Sequence, residues 1–126
     1  MILCDTDVII EFYKENPQVI RNLRSIGEPN IAISIITSGE LLYGAINKRE
    51  LNQISKDIGK LNLIHINKEI GDCFNQLLIK YSLSHRFSVP DGLIASTALI
   101  EKIQLYTHNL LDFKFIDGLQ LYQEKP

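Results

Sequence analysis

Short apolar runs alternate with segments of helical period along the whole chain, and this alternation limits the architecture more than any single motif. Ile2-Leu3-Cys4, Ile31-Ala32-Ile33-Ser34-Ile35, Leu63-Ile64-His65-Ile66 and Ile103 to Tyr106 are too short to be buried helices and are rich in β-branched residues, so they read as buried strands. Leu119 to Tyr122 reads as a last short strand. Between these runs, apolar residues recur at helical spacing. Examples are Val19, Ile20, Leu23 and Ile26; Ile54, Ile58 and Leu61; and Ile70, Cys73, Phe74, Leu77, Leu78 and Tyr81. Asn16-Pro17 and Asn67 mark helix starts, and Gly27 marks a stop. Thr6 or Asp7 is expected to cap a first helix. Thr37 or Ser38 is expected to cap another, since Thr37-Ser38-Gly39-Glu40 has the capping-box pattern and would put Glu40 in the first turn. Gly44 then falls inside that helix, where it costs about 1 kcal/mol relative to Ala. Ser84 to Val89 reads as a polar loop with His85 solvated, Pro90-Asp91 opens the next helix, and Leu110 to Phe113 forms one short turn. Strand–helix alternation predicts an α/β fold with a central parallel sheet of four to five short strands flanked by helices. Its length, 126 residues, predicts one domain spanning residues 1–126.

The totals exclude several classes. With 45% hydrophobic and 22% charged residues, the composition is that of a soluble globular protein. No apolar run approaches the ~18 residues of a membrane span, and the N-terminus lacks a signal-peptide pattern, so the expected location is cytoplasmic. Cys4 and Cys73 form no CxxC and no zinc-ligand spacing, and read as two buried thiols in a reducing compartment. A net charge of −2 argues against a generic basic nucleic-acid coat. It leaves room for acids gathered at a metal beside a basic rim.

The acids fall at equivalent places. Asp5 ends the first strand, Glu40 follows the second, Asp91 opens a helix after a polar loop, and Asp112 follows the strand ending at Tyr106. In open α/β sheets ligands bind at the carboxyl ends of the strands. Any one of these acids could be a helix-opening residue. Together, with no basic partner in the motifs, converging carboxylates imply a hard cation, Mg²⁺ or Mn²⁺.

At these residues the chain resembles the PIN domain, and within it the VapC-type toxin ribonucleases of type II toxin–antitoxin pairs. The matching pieces are the strand ending in Asp5-Thr6-Asp7, then Ser34 to Gly44 with Glu40, then Pro90-Asp91-Gly92-Leu93-Ile94-Ala95, and then Leu105 to Phe113 with its T-x-N-x-x-D-F pattern. They occur in order over essentially the whole chain. The resemblance implies an endoribonuclease that hydrolyses RNA phosphodiester bonds with metal-activated water. Asp5 and Asp91 would be direct metal ligands. Glu40 and Asp112 would bind directly, bind through water, or orient the attacking water. Thr6, Thr107 and Asn109 would fix carboxylate rotamers or touch phosphate. It further implies a tRNA or rRNA substrate, a homodimer and a cognate antitoxin lying in an apolar groove lined by residues such as Phe12, Tyr13, Leu42 and Tyr43, which could equally be core.

One departure concerns Asp7, where the family usually carries Asn or Ser. The extra charge either adds to metal binding or caps the helix. Two rivals stand beside the nuclease. One is a non-catalytic RNA- or partner-binding module of the same fold. The other is a haloacid-dehalogenase-like phosphatase, whose D-x-D opening Asp5-Thr6-Asp7 fits but whose later paired acidic motif has no convincing counterpart here.

Overall fold

The computed structural model describes residues 1–126. Four parallel strands, β1 (Ile2–Cys4), β2 (Ile31–Ser34), β3 (Asn62–Ile64) and β4 (Gln104–Tyr106), form one sheet in the order β3-β2-β1-β4. β1 is therefore central, between β2 and β4. The expected fifth strand is reduced to a single bridge, Leu105 to Leu121. Beyond it the chain passes beside Asn22, whose side chain holds Lys125 and Tyr122, so the tail follows the second helix and not the sheet.

Six helices cover both faces: α1 (Thr6–Tyr13), α2 (Pro17–Ile26), α3 (Ile35–Tyr43), α4 (Lys48–Ile58), α5 (Lys68–His85) and α6 (Val89–Glu101). The strands alternate side chains between two cores, as parallel strands buried on both faces must. Leu3, Ala32 and Leu105 point to α5 and α6, where Leu77, Tyr81, Ile94 and Ala95 meet them. Cys4, Ile31, Ile33 and Tyr106 point the other way, to Val8 and Ile9 of α1, Val19 and Leu23 of α2, Leu41 of α3 and Ile54 of α4. α5 and α6 pack closely because Gly92 has no side chain: a Cβ there would stand 3.1 Å from the Phe74 ring.

Local chemistry explains where the helices begin and end. Asn16 accepts from the Gln18 and Val19 N–H groups, with Pro17 at the first helical position, and Asn67 accepts from Ile70 N–H. Gly27 closes α2 at φ +88°, a left-handed conformation that favours glycine. Three expectations are corrected. The α1 cap is Asp5 itself, accepting from Thr6 N–H at 2.8 Å, and neither Thr6 nor Asp7. The α3 cap is Ser34, whose hydroxyl accepts from Thr37 N–H; α3 starts directly from the last residue of β2, Glu40 lies beyond the first turn, and Gly44 is the C-terminal cap outside the helix. Ser84 and His85 are the last residues of α5, not a loop. His85 stacks on Phe115 with ring centroids 4.0 Å apart and planes 11° apart, inside an aromatic cluster with Tyr81 and Phe87.

Cys4 is buried and its thiol is pushed up to about 12, by burial first and then by the nearby Asp5 and Asp7 charges. Cys73 is only half-buried, and neither cysteine forms a disulfide. No helix is long and apolar enough to cross a membrane.

Candidate active site

Asp5 reaches the carboxyl end of the sheet because β1 stops at Cys4 and α1 starts at Thr6. Its position is fixed from both sides. Its backbone N–H donates to the Tyr106 carbonyl of β4 at 2.9 Å. One side-chain oxygen, Oδ1, accepts from Thr6 N–H, and the other, Oδ2, accepts from the Thr107 hydroxyl at 2.8 Å. With only 5% of its surface exposed, Asp5 is a carboxyl group held in a protein interior. Burial, followed by the Asp7 charge, pushes it well above the ordinary carboxylate range, and Asp91 adds to the push.

The other expected acids stand around it. Asp91 sits in the first turn of α6, whose cap Ser88 accepts from the Asp91 N–H. Burial raises the Asp91 carboxyl, as do the charges of Asp112, Glu40 and Asp7. Glu40 is exposed and reaches in from α3; the Thr6 hydroxyl donates to its Oε1 at 2.7 Å and lies 3.0 Å from the Thr37 hydroxyl. Asp112 is exposed on the short 3-10 turn Leu110–Asp112. At this edge of the sheet Asp5 thus feels the charges of Asp7 and Asp91, and Asp91 those of Asp112, Glu40 and Asp7. None of the ion pairs in the structure includes any of them.

The supporting residues separate in role. Thr6 bridges Asp5 and Glu40, and Thr107 holds Asp5. Asn109 acts here through its backbone N–H, which donates to the Thr107 hydroxyl at 3.0 Å. Asp7 is no cap. Its Oδ2 accepts from the His108 N–H at 3.0 Å, tying α1 to the segment after β4, and its Oδ1 is buried with no hydrogen-bond partner. Burial raises the Asp7 carboxyl despite the His108 N–H. Thr37 and His108 were not expected at the site as side-chain or backbone partners. Thr37 had been assigned to a cap that Ser34 provides instead, and the only signal for His108 is its place between Thr107 and Asn109.

A buried carboxylate oxygen without a donor, inside a set of acids without a lysine or arginine, is what a hard divalent cation would satisfy. The donor set is all oxygen. As the side chains stand, no three of them converge tightly enough to hold an ion; unneutralised carboxylates repel, and Asp5, Asp7 and Glu40 are each drawn toward a hydrogen-bond donor of the protein. Next to Glu40 a cavity of about 720 Å³ opens between α1, α3 and α4, lined by Ile10, Tyr13, Lys14, Leu41 and Arg49. Tyr13 also lines a second cavity of about 500 Å³ with Phe12 and Leu23. Phe12, Tyr13 and Tyr43 are exposed, so they are surface residues and not core.

The PIN domain model matches residues 2–116. The chain belongs to the PIN-domain family. That membership sets aside the dehalogenase-like phosphatase. Among curated proteins the chain is similar to Ribonuclease VapC2 of Rickettsia felis, 31% identical over 94% of each chain. Among solved structures it is similar to VapBC2 from Rickettsia felis bound to a DNA fragment from its promoter, with a TM-score of 0.81, 27% identity and coverage of 97% of this chain and 98% of that one. It is also similar to a toxin–antitoxin complex from Klebsiella pneumoniae, with a TM-score of 0.82, 26% identity and coverage of 99% and 100%. A third similar structure is VapBC-1 from nontypeable Haemophilus influenzae, with a TM-score of 0.82, 28% identity and coverage of 97% of both chains. The PIN-domain fold and the similarity to a VapC ribonuclease agree with the architecture and family expected from the sequence.

Proposed function

We propose that this PIN-domain chain, acting as one domain over residues 1–126, is the toxin of a type II toxin–antitoxin pair and a divalent-metal-dependent endoribonuclease. The observation that carries the metal-dependent part of the reading is the acidic edge: Asp5 buried and raised, Asp7 with an orphan oxygen, and no basic side chain paired with any of the acids. Asp5, Asp91, Glu40 and Asp112 would hold Mg²⁺ or Mn²⁺. A bound divalent cation supplies Lewis acidity toward a phosphate oxygen and lowers the pKa of a neighbouring water. The protein's own groups do the rest. Thr107 and Thr6 hold the Asp5 carboxylate at the sheet edge, one on each oxygen. Thr6 also tethers Glu40, which is exposed at the rim and free to orient the attacking water. Asp112, on a short exposed turn, lies near enough to Asp91 for its charge to raise that carboxyl.

The partners follow from the same reading. The substrate is an RNA such as tRNA or rRNA, cut in the cytoplasm. A cognate antitoxin lays a segment along the cavities that share Tyr13, one of which reaches Glu40, and the toxin is a homodimer. The similar VapBC structures support the antitoxin assignment.

The test is cleavage of a panel of tRNAs and rRNA fragments by antitoxin-free protein with Mg²⁺, Mn²⁺ or EDTA, beside Asp91→Asn. Discrete cuts that need metal and vanish in the variant are expected. Cutting that persists in EDTA, or in Asp91→Asn, would overturn the assignment of the site. Folded wild-type protein that binds these RNAs without cutting any would favour the binding module instead.

A further inference from the structure

The C-terminal tail is hydrogen-bonded to the two residues that flank Thr107. Glu124 accepts two hydrogen bonds on the same oxygen, Oε2. One comes from the Tyr106 hydroxyl, the other from the His108 imidazole Nε2 at 2.9 Å. These two donors flank Thr107, and each is tied to the acidic edge through its backbone. The Tyr106 carbonyl accepts from the Asp5 N–H, and the His108 N–H donates to Asp7. Tyr106 is 1% exposed, so its ring and hydroxyl have one place to go. Burial would raise Glu124, but the bonds from Tyr106 and His108 outweigh it and hold the carboxyl below its usual value. Glu124 is thus an ionised acceptor at neutral pH.

The tail is itself anchored. Leu105 N–H donates to the Gln120 carbonyl and Tyr122 N–H to the Leu105 carbonyl, so residues 120–122 ride along β4. Asn22, 2% exposed on α2, then clamps the end. Its carbonyl oxygen accepts from the Tyr122 hydroxyl at 2.6 Å and from the Lys125 N–H at 2.9 Å, and its amide donates to the Lys125 carbonyl at 2.9 Å. This buried asparagine keeps one amide N–H for the Gln18 carbonyl of its own helix and spends the other, with its carbonyl oxygen, on a tail about a hundred residues away.

We propose that Glu124 is a positioning residue for the acidic edge, acting through His108 on Asp7 and through Tyr106 on Asp5. The inference rests on the reading of that edge as a metal-binding site. It assigns to the last residues of the chain the setting of segment 106–109, which supplies Asp5 and Asp7 with their hydrogen bonds. Because both donors land on one oxygen, a single amide carbonyl can replace it, and Glu124→Gln is the conservative variant.

The experiment compares wild type, Glu124→Ala, Glu124→Gln and His108→Ala by two measurements. One is Mn²⁺ affinity by calorimetry. The other is the His108 amide proton shift (its neighbour Asn109 in His108→Ala) by NMR in metal-free buffer. Glu124→Ala is expected to weaken Mn²⁺ binding about tenfold, the lower end for groups that orient metal ligands, and to move the His108 amide upfield as its bond to Asp7 lengthens. Glu124→Gln is expected to restore both. Wild-type affinity in Glu124→Ala, or an unmoved amide, would overturn the proposal, as would a Gln variant no better than Ala. Should Glu124→Ala fail to fold, His108→Ala carries the test of the route to Asp7, since it leaves the Tyr106–Glu124 bond intact; unchanged affinity there overturns the action through His108. The amide shift needs neither metal nor RNA. Wild-type protein that binds no Mn²⁺ or cuts no RNA would therefore count against the nuclease reading while the effect of Glu124 on segment 106–109 is still read directly.

Discussion

Tyr81, His85, Phe87 and Phe115 satisfy one another, whereas Asp5, Asp7, Glu40, Asp91 and Asp112 do not. The aromatic cluster at the end of α5 meets edge to face and in one stack, with ring centroids between 4.0 and 6.4 Å. Such pairs add to burial. At the acidic edge, burial raises Asp5, Asp7 and Asp91, and neighbouring carboxylates add to the cost. One region is complete as folded. The other is held in place by Thr6, Thr107 and His108 against its own repulsion, and a cation would complete it. The difference shows how one small fold divides its labour: stability comes from the apolar cores on the two faces of the sheet, and the sheet edge forgoes it.

This contrast can be broken most sharply at Asp91. Asp91→Asn should lower RNA cleavage by about three orders of magnitude, the scale of losing a group that stabilises transition-state charge. Its melting temperature in EDTA should match or exceed wild type; a clearly lower value would make Asp91 a structural acid. Phe87→Ala reverses the pattern. It should cost about 3 kcal/mol in urea denaturation and leave Mn²⁺ affinity unchanged once the protein is folded. A smaller contrast lies at Asp7. Asp7→Asn keeps an oxygen for the His108 N–H and replaces a carboxylate whose other oxygen has no partner. In metal-free buffer it should stabilise the protein by about 1 kcal/mol, measured by the shift in denaturation midpoint, and the gain should vanish in saturating Mn²⁺. The smallest effect is expected from His85→Ala, about 1 kcal/mol of stability from the lost stack on Phe115, with no change in cleavage rate.

What the sequence made legible follows a physical line. Signals carried by neighbouring residues were readable: Asn16-Pro17, Asn67 and Pro90-Asp91 each specify a helix start within a few positions. The acidic set could be proposed from the sequence because each member follows a strand or opens a helix. The start of α3 was not, because two hydroxyl caps compete. Ser34 wins as the last residue of β2, so the helix begins without a loop and Glu40 moves beyond the first turn. The end of α5 was missed because Ser84 and His85 look polar, while Phe115, on which the exposed His85 stacks, is far along the chain. Asn22 and Glu124 lay out of reach for the same reason. Their partners are set by the tertiary path of the tail, and no local pattern announces them.

The position of β1 in the sheet has a consequence for the growing chain. β1 is made first, yet its neighbour β4 begins at Gln104, and the hydroxyl that fixes Asp5 belongs to a residue 102 positions later. During synthesis the acids of the first strand and of α6 exist as scattered groups. The edge assembles only when β4 and Thr107 have left the ribosome. A fold of this topology leaves the acidic edge unformed until the residues from Gln104 to Thr107 have been made.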